Sequence, residues 1–398
     1  MVVLPVDYEI YQFTPIQHPA DDTESETVTT HFDFGSMHDV LVKLDILGHD
    51  DPTMLRRLQD LTGIAPADVP LNDPEVFWKI LSLFSSPEAL GLSEDALGTP
   101  TGTLGIPEFG TRFVRNMLVE TRPRSMEELI RISGLSHGTD VWVGNTQDLV
   151  HQGVPLGDCI CTRDDIMNAL IDLGVDPEVA FKTMESVRKG KGLEPFMEEA
   201  IGQVAAPDWY IGSCKKIKYM FPKAHAVAYV LMALRIAYFK IFYPAAYYAC
   251  FLMRNADAFD ATRMVARDIT VLRAMMEEID GLERQERERK ENEYALLESL
   301  VEMNLRGVCL RPVDLYKSHA TDFLLTDGEI LPPISSLPGV GQQAAEGLAR
   351  AREAGPFLSQ DDMQRRKVAK STVEALKLAG CLNGLPESSQ VTLFEFGI

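Results

Sequence analysis

Asp45 stands in Val40-Leu41-Val42-Lys43-Leu44-Asp45-Ile46-Leu47, a run of β composition. A carboxylate presented from a rigid strand can hold a divalent cation with little reorganisation. Two-metal phosphoryl transfer needs several such carboxylates converging on one point. The same residue also reads as a solvated strand position beside Lys43. Cations gather elsewhere. Residues 181–240 carry ten Lys/Arg against five Asp/Glu, in a chain whose net charge is −21. Arg188-Lys189-Gly190-Lys191-Gly192 is a cationic loop able to bring ammonium groups and backbone N–H close to phosphate oxygens. Lys215-Lys216, Lys218 and Lys223-Ala-His225 follow it. Arg112, Arg115, Arg122 and Arg124 form another group, and an ordinary solvated face remains an alternative for each cluster.

Two further motifs suit binding. Leu337-Pro338-Gly339-Val340-Gly341 permits a tight hairpin whose amides lie beside a helix N-terminus, a geometry that takes a DNA phosphate without reading sequence. Gln390-Val391-Thr392-Leu393-Phe394 ends in an apolar pair of the kind that anchors a short peptide in a hydrophobic groove. His137 and His225 are not placed as metal ligands by spacing. No GxxxxGK[ST] loop, GxGxxG loop or supported Ser/His/Asp order occurs.

The elements that must position these residues are mainly helical. At period two, Val40, Val42, Leu44 and Ile46 share one strand face. Asp51-Pro52 is a helix start, with a Leu55, Leu58, Leu61 stripe closed by Gly63. Residues 126–132, 164–173 and 177–188 show helical spacing. The 226–243 run is apolar on all sides and predicts an enclosed helix, stopped or kinked by Pro244. Residues 258–305 read as one long charged, solvated helix, and Asp327-Gly328 as a hairpin turn. Helices over 342–353 and 368–379 predict a paired helix-hairpin-helix module. The predicted class is therefore mainly α with a small α+β segment.

Composition bounds the rest. With 398 residues, 45% hydrophobic and 24% charged, the chain is globular and long enough for two or three domains. An acidic chain with 59 Asp/Glu against 38 Lys/Arg gives no bulk attraction to nucleic acid, so such binding must rest on local patches. The first sixty residues are the most acidic, with twelve Asp/Glu against Lys43, Arg56 and Arg57. The six cysteines are scattered and form neither a zinc knuckle nor a disulfide framework, which suggests a reducing cytoplasm. No secretory signal is legible at the start, and Arg235, Lys240 and Pro244 argue against a membrane span in the most apolar stretch.

Long strings in the chain carry a resemblance: 31–53 (HFDFGSMHDVLVKLDILGHDDPT), 103–118 (TLGIPEFGTRFVRNML), 132–142 (ISGLSHGTDVW), 161–167 (CTRDDIM), 184–193 (MESVRKGKGL) and 213–240 (SCKKIKYMFPKAHAVAYVLMALRIAYFK). They resemble the C-terminal part of bacterial DNA polymerase III α subunits of the PolC type. The resemblance implies that residues 1–50 end a polymerase palm and that 51–255 are helical fingers. Residues 256–330 would connect them to a duplex-binding helix-hairpin-helix domain at 331–398. It implies Mg²⁺ as cofactor, with Asp45 as one of three palm aspartates; the other two, the exonuclease and the thumb are not found in this chain. Arg112, Arg115, His137, Arg163, Arg188, Lys189, Lys191, Lys223 and His225 would meet the dNTP or template phosphates. Gly339, Gly341 and Lys370 would meet duplex DNA. Gln390, Leu393 and Phe394 would bind a sliding clamp, through QVTLF where the family usually has QLSLF, and with further residues after it. The implied partners are primer–template DNA, dNTP, the clamp, and the rest of the polymerase or a complementary subunit. The implied activity is template-directed nucleotidyl transfer, absent from this chain alone. A non-catalytic tether between duplex DNA and clamp is the alternative.

Overall fold

The computed structural model describes residues 1–44, 46, 48–265 and 268–388. The predicted metal ligand Asp45 and the predicted clamp peptide Gln390–Phe394 lie outside them. Two compact units divide at residue 50.

The first unit is built of short ribbons. Val2–Val3 pairs antiparallel with Val42–Lys43, and Ile16–Gln17 with Thr29–Thr30. Met37 and Leu41 are its buried apolar side chains. The expected strand is thus two described residues long. Its expected apolar face, Val40, Val42, Leu44 and Ile46, is exposed, because a two-stranded ribbon supplies no second layer to cover it.

The described residues from 51 to 388 are mainly helical around one apolar core. Asp50–Thr62 ends at Gly63, whose φ of +74° is the left-handed stop a glycine takes easily. Leu55 and Leu58 of the predicted stripe are buried with Met54, whereas Leu61 is exposed. Met126–His137, Arg163–Asp172 and Pro177–Arg188 form as their spacing predicts. The central element is Lys223–Phe242, followed by Pro244–Arg254 with Pro244 at its first turn. It is long and apolar enough to cross a membrane by composition alone. Here it packs on Met126–His137, Pro74–Ser82 and Pro244–Arg254, and Val230, Ala233, Leu234, Ile236, Ala237 and Phe239 are fully buried. Enclosure is incomplete at its N-terminal end, where Ala224, His225 and Ala228 face solvent. That opening carries the site described below.

Residues 258–305 are not one helix. Asp260 and Asp268 each cap a new start, accepting amides of Thr262 and Thr270 at 2.8 Å, and Gly281 ends the Ile269–Asp280 helix. Ile269–Asp280 packs against Glu291–Leu305 through Leu272, Met275, Ile279, Leu296, Leu297 and Leu300. The stretch is therefore a helical hairpin with a buried inner face and a solvated outer one, and within it the short Arg284–Arg289 helix has no buried residue. Leu324–Thr326 and Glu329–Leu331 form the expected hairpin, with Asp327 and Gly328 both at positive φ.

Candidate nucleotide and nucleic-acid interface

Segment 218–223 is a hub to which several of the predicted cationic segments are tied. Its edges are tied to three other segments by backbone hydrogen bonds. Thr139 N donates to the Tyr219 carbonyl at 2.9 Å, and Lys218 N to the Thr139 carbonyl at 3.0 Å. Arg163 N donates to the Phe221 carbonyl at 3.2 Å, and Lys223 N to Asp164 Oδ2 at 2.8 Å. Met220 N donates to the Arg188 carbonyl at 3.4 Å. Gly190, at φ +69°, lies directly on the Lys218 backbone. Of the predicted phosphate-binding residues, His137, Arg163, Arg188, Lys189, Lys191, Lys223 and His225 thus sit on or beside this segment.

An aromatic stack forms the floor of this region. The His137 ring stacks on Phe221 at 4.6 Å and lies within 6.2 Å of Tyr229, while Phe221 stacks on Tyr229 at 6.0 Å. His225 meets Phe221 edge-on at 5.9 Å. Both nitrogens of His137 face acceptors: Nδ1 is 2.8 Å from the Ser133 carbonyl, and Nε2 is 3.1 Å from Glu108 Oε2. Glu108 itself has φ +68°, a conformation a non-glycine residue holds only when its surroundings impose it.

The cations are held ready by carboxylates. Arg188 and Lys189 both pair with Glu185, and the Arg188 hydrogen bond, assisted by Lys189, holds the Glu185 carboxyl down at about 2. Lys223 Nζ lies 3.6 Å from Asp165 and Arg163 Nε 3.9 Å from Asp164. Lys191 and Lys218 are exposed. The Lys189, Lys223 and Arg163 side chains are 48%, 35% and 34% exposed, so an arriving polyanion can reach them, and ion pairs with exposed cations are weak.

Arg112 and Arg115 belong to another place. They line a cleft of about 620 Å³ with Arg273, Asp280, Tyr294 and Glu298. Arg115 is buried and its Nη2 donates to both Glu298 oxygens at 2.9 Å, while Arg112 lies over the Tyr294 ring at 5.2 Å. The geometry gives Arg115 a structural ion pair, and with Arg112 it also lines a second cleft, of about 590 Å³, that reaches Glu108. Glu108, the loop residue reaching His137, was not legible beforehand; its place in the IPEFG string was the available signal.

The C-terminal part repeats one hairpin twice. Gly339 at φ +79°, buried Val340 and the N-cap Gly341 lead into Gln342–Arg352. Lys367 at φ +68°, buried Val368 and the N-cap Ala369 lead into Lys370–Leu378. In both, first-turn amides without intrahelical acceptors point out of the hairpin. Sequence reading missed Lys367, since the second hairpin lacks the glycines that mark the first.

Mg²⁺ finds no ligand set here. Among the described residues no three His, Cys, Asp or Glu side chains gather to hold a metal ion. The described residues do not fit that group, and the predicted ligand Asp45 lies outside them.

A positively lined, aromatic-floored helical domain joined to a paired helix-hairpin-helix module defines a nucleic-acid-associated class. Residues 51–205 match the finger domain of the bacterial DNA polymerase III alpha subunit, and residues 307–391 match a helix-hairpin-helix motif. The chain is 52% identical over 99% of its length to the PolC-type DNA polymerase III of Bacillus subtilis (strain 168), and 51% identical over 99% to that of Caldanaerobacter subterraneus subsp. tengcongensis. Along nearly its whole length the chain is thus similar to PolC-type DNA polymerase III, and it spans 27% and 28% of the length of those two curated relatives.

Proposed function

We propose that this segment holds the incoming dNTP and the primer–template for template-directed nucleotidyl transfer by a complete polymerase. In that reaction the primer 3′-hydroxyl attacks the α-phosphate of the dNTP and pyrophosphate leaves. Arg163, Arg188, Lys189, Lys191 and Lys223 neutralise triphosphate or template phosphate charge, and His137 with the Phe221–Tyr229 stack gives a flat wall beside them. The hairpins at Gly339–Gly341 and Lys367–Lys370 grip duplex phosphates. The observation that carries this reading is the convergence of cations from separate segments on 218–223, over one aromatic floor. Gln390, Leu393 and Phe394 take a sliding clamp on the strength of their sequence alone. Asp45 ends a palm whose other carboxylates come from the rest of the polymerase, with the cytoplasm as its setting.

The test is fluorescence anisotropy of a labelled primer–template titrated with the full chain at two salt concentrations, with and without the matching dNTP. Salt-sensitive binding that tightens only with the matching dNTP supports the reading. Binding indifferent to dNTP leaves the duplex tether, which the two hairpins alone could provide.

A further inference from the structure

The most deeply buried charge in the protein lies behind the loop that carries Glu108. Lys240 and Glu302 are both 0% exposed, with Lys240 Nζ 2.7 Å from Glu302 Oε1. Lys240 Nζ also donates to the carbonyls of Gly102 at 2.8 Å and Leu104 at 2.5 Å. Tyr247 Oη donates to the same Leu104 carbonyl at 3.2 Å, and Tyr248 Oη donates to Glu302 Oε1 at 2.6 Å. Arg306 closes the network by donating to the Lys240 carbonyl at 2.7 Å. A buried ion pair is poor evidence of stability, because desolvation offsets much of the attraction. Its value here is directional: three of its donor contacts end on two loop carbonyls.

The loop has little freedom left beyond that clamp. Gly105, at φ +68°, lies against Tyr247 and Phe251, and a Cβ there would come within 2.6 Å of Tyr247 Oη. Phe109 is fully buried edge-on against Phe84. Ile106 N donates to the Thr103 carbonyl at 3.0 Å and Phe109 N to the Ile106 carbonyl at 3.3 Å. Glu108 is left on the turn between these anchors, at positive φ and 3.1 Å from His137.

We propose that Lys240, held by Glu302, is a positioning residue that sets the register of loop 102–110 so that Glu108 meets His137 in the nucleotide site. It acts from the core, through the loop, on a side chain it does not touch. The positioning claim concerns the Glu108–His137 contact; its effect on nucleotide rests on the proposed function above.

The experiment reads these two levels separately in the full chain. Histidine-selective ¹³C labelling reports the eight histidines, and His137 is assigned with His137→Gln. The double variant Lys240→Met/Glu302→Leu replaces the buried pair with apolar residues of similar volume, a change often neutral for stability. Its His137 ring signal is expected to move to the position seen in Glu108→Gln. The gain in primer–template affinity given by matching dNTP is expected to fall about tenfold, the scale of one charge-assisted contact. Adding Glu108→Gln to the double variant should cause no further change in either readout. Should the double variant not fold, Glu302→Gln, which keeps an acceptor for Tyr248, takes its place with a smaller shift in the same direction. A folded variant of either kind whose His137 signal stays at the wild-type position overturns the proposal, as does an additive effect of Glu108→Gln. A wild-type chain without any dNTP response, but with the His137 shift intact, overturns the nucleotide reading and leaves the positioning role standing.

Discussion

Gly190 and Gly192 offer a test of whether the cationic loop works through its seat on segment 218–223. Both have positive φ, +69° and +77°, so alanine at either costs about 1 kcal/mol of backbone strain. Only Gly190 has an obstacle. A Cβ there collides with the Lys218 carbonyl and approaches the Lys218 Cα, whereas at Gly192 nothing lies within 4 Å. The obstacle is backbone, which cannot rotate away, so Gly190→Ala adds an overpacking cost of about 1–3 kcal/mol. For 398 residues, at about 2 cal/mol/K of unfolding entropy per residue, 1 kcal/mol moves the melting temperature by about 1 °C. Gly192→Ala should therefore lower it by about 1 °C and Gly190→Ala by about 2–4 °C. The functional split should be larger, since lifting the loop carries Arg188, Lys189 and Lys191 away from Lys223. The dNTP-dependent gain in primer–template anisotropy is expected to fall at least tenfold in Gly190→Ala and to stay within about twofold in Gly192→Ala, the latter being roughly 0.4 kcal/mol. Equal effects of the two substitutions in both assays would refute the seating argument.

Other expected outcomes separate the remaining groups. Arg163→Ala and Lys223→Ala should each cut the dNTP response of primer–template binding by about tenfold or more, the worth of one charged hydrogen bond. Arg115→Ala should instead destabilise the fold by about 3–5 kcal/mol in denaturant titration, because it strands Glu298, whose burial already pushes its carboxyl upward. Lys367→Glu and Lys370→Glu should weaken duplex binding and lower its salt slope by about one unit each, with the dNTP gain intact; an unaltered slope would remove these hairpins from the duplex contact. Raising the pH should unfold the protein from about pH 9 upward. Burial lifts the Cys159 thiol to about 11 and Cys214 and Cys250 to about 12, with Cys161 higher still, so the unfolded chain loses those protons first and stability falls. Each such thiol contributes about 1.4 kcal/mol per pH unit above its unfolded pKa. Lys240, pressed down to about 8 by burial, works the other way between 8 and its ordinary value, and one amine cannot offset four thiols.

How much of this was legible in the sequence differs by level. Helix positions were readable wherever a cap and a one-sided apolar period coincided, as at Pro177–Arg188 and at Met126–His137. The 258–305 stretch misled because charge hid the breaks. Asp260 and Asp268 look like surface acids until their side chains are seen capping new helices, and the apolar positions of Glu291–Leu305 were outvoted by the charges around them. The paired hairpin was readable in its first half through Gly339 and Gly341; in the second, Lys367 holds the same left-handed turn without the residue type that announces it.

The cations were legible as a local excess of charge, but charge counted along a chain does not say which residues share a surface. His137, Arg163, Arg188 and Lys223 stand on four segments, and their meeting depends on backbone hydrogen bonds to 218–223 that no side-chain pattern encodes. Arg112 and Arg115 show the converse: the same residue type, in a string of equal specificity, turned to a different cleft by Glu298 and Tyr294. What separates the two groups is the exposure of the cations themselves. Around segment 218–223 Lys189, Lys223 and Arg163 are 48%, 35% and 34% exposed and within reach of phosphate, whereas Arg115 is 8% exposed and held by Glu298. Residue type marks the chemistry available, and the burial of the cation within its pair decides whether it is open to a ligand or committed to the fold.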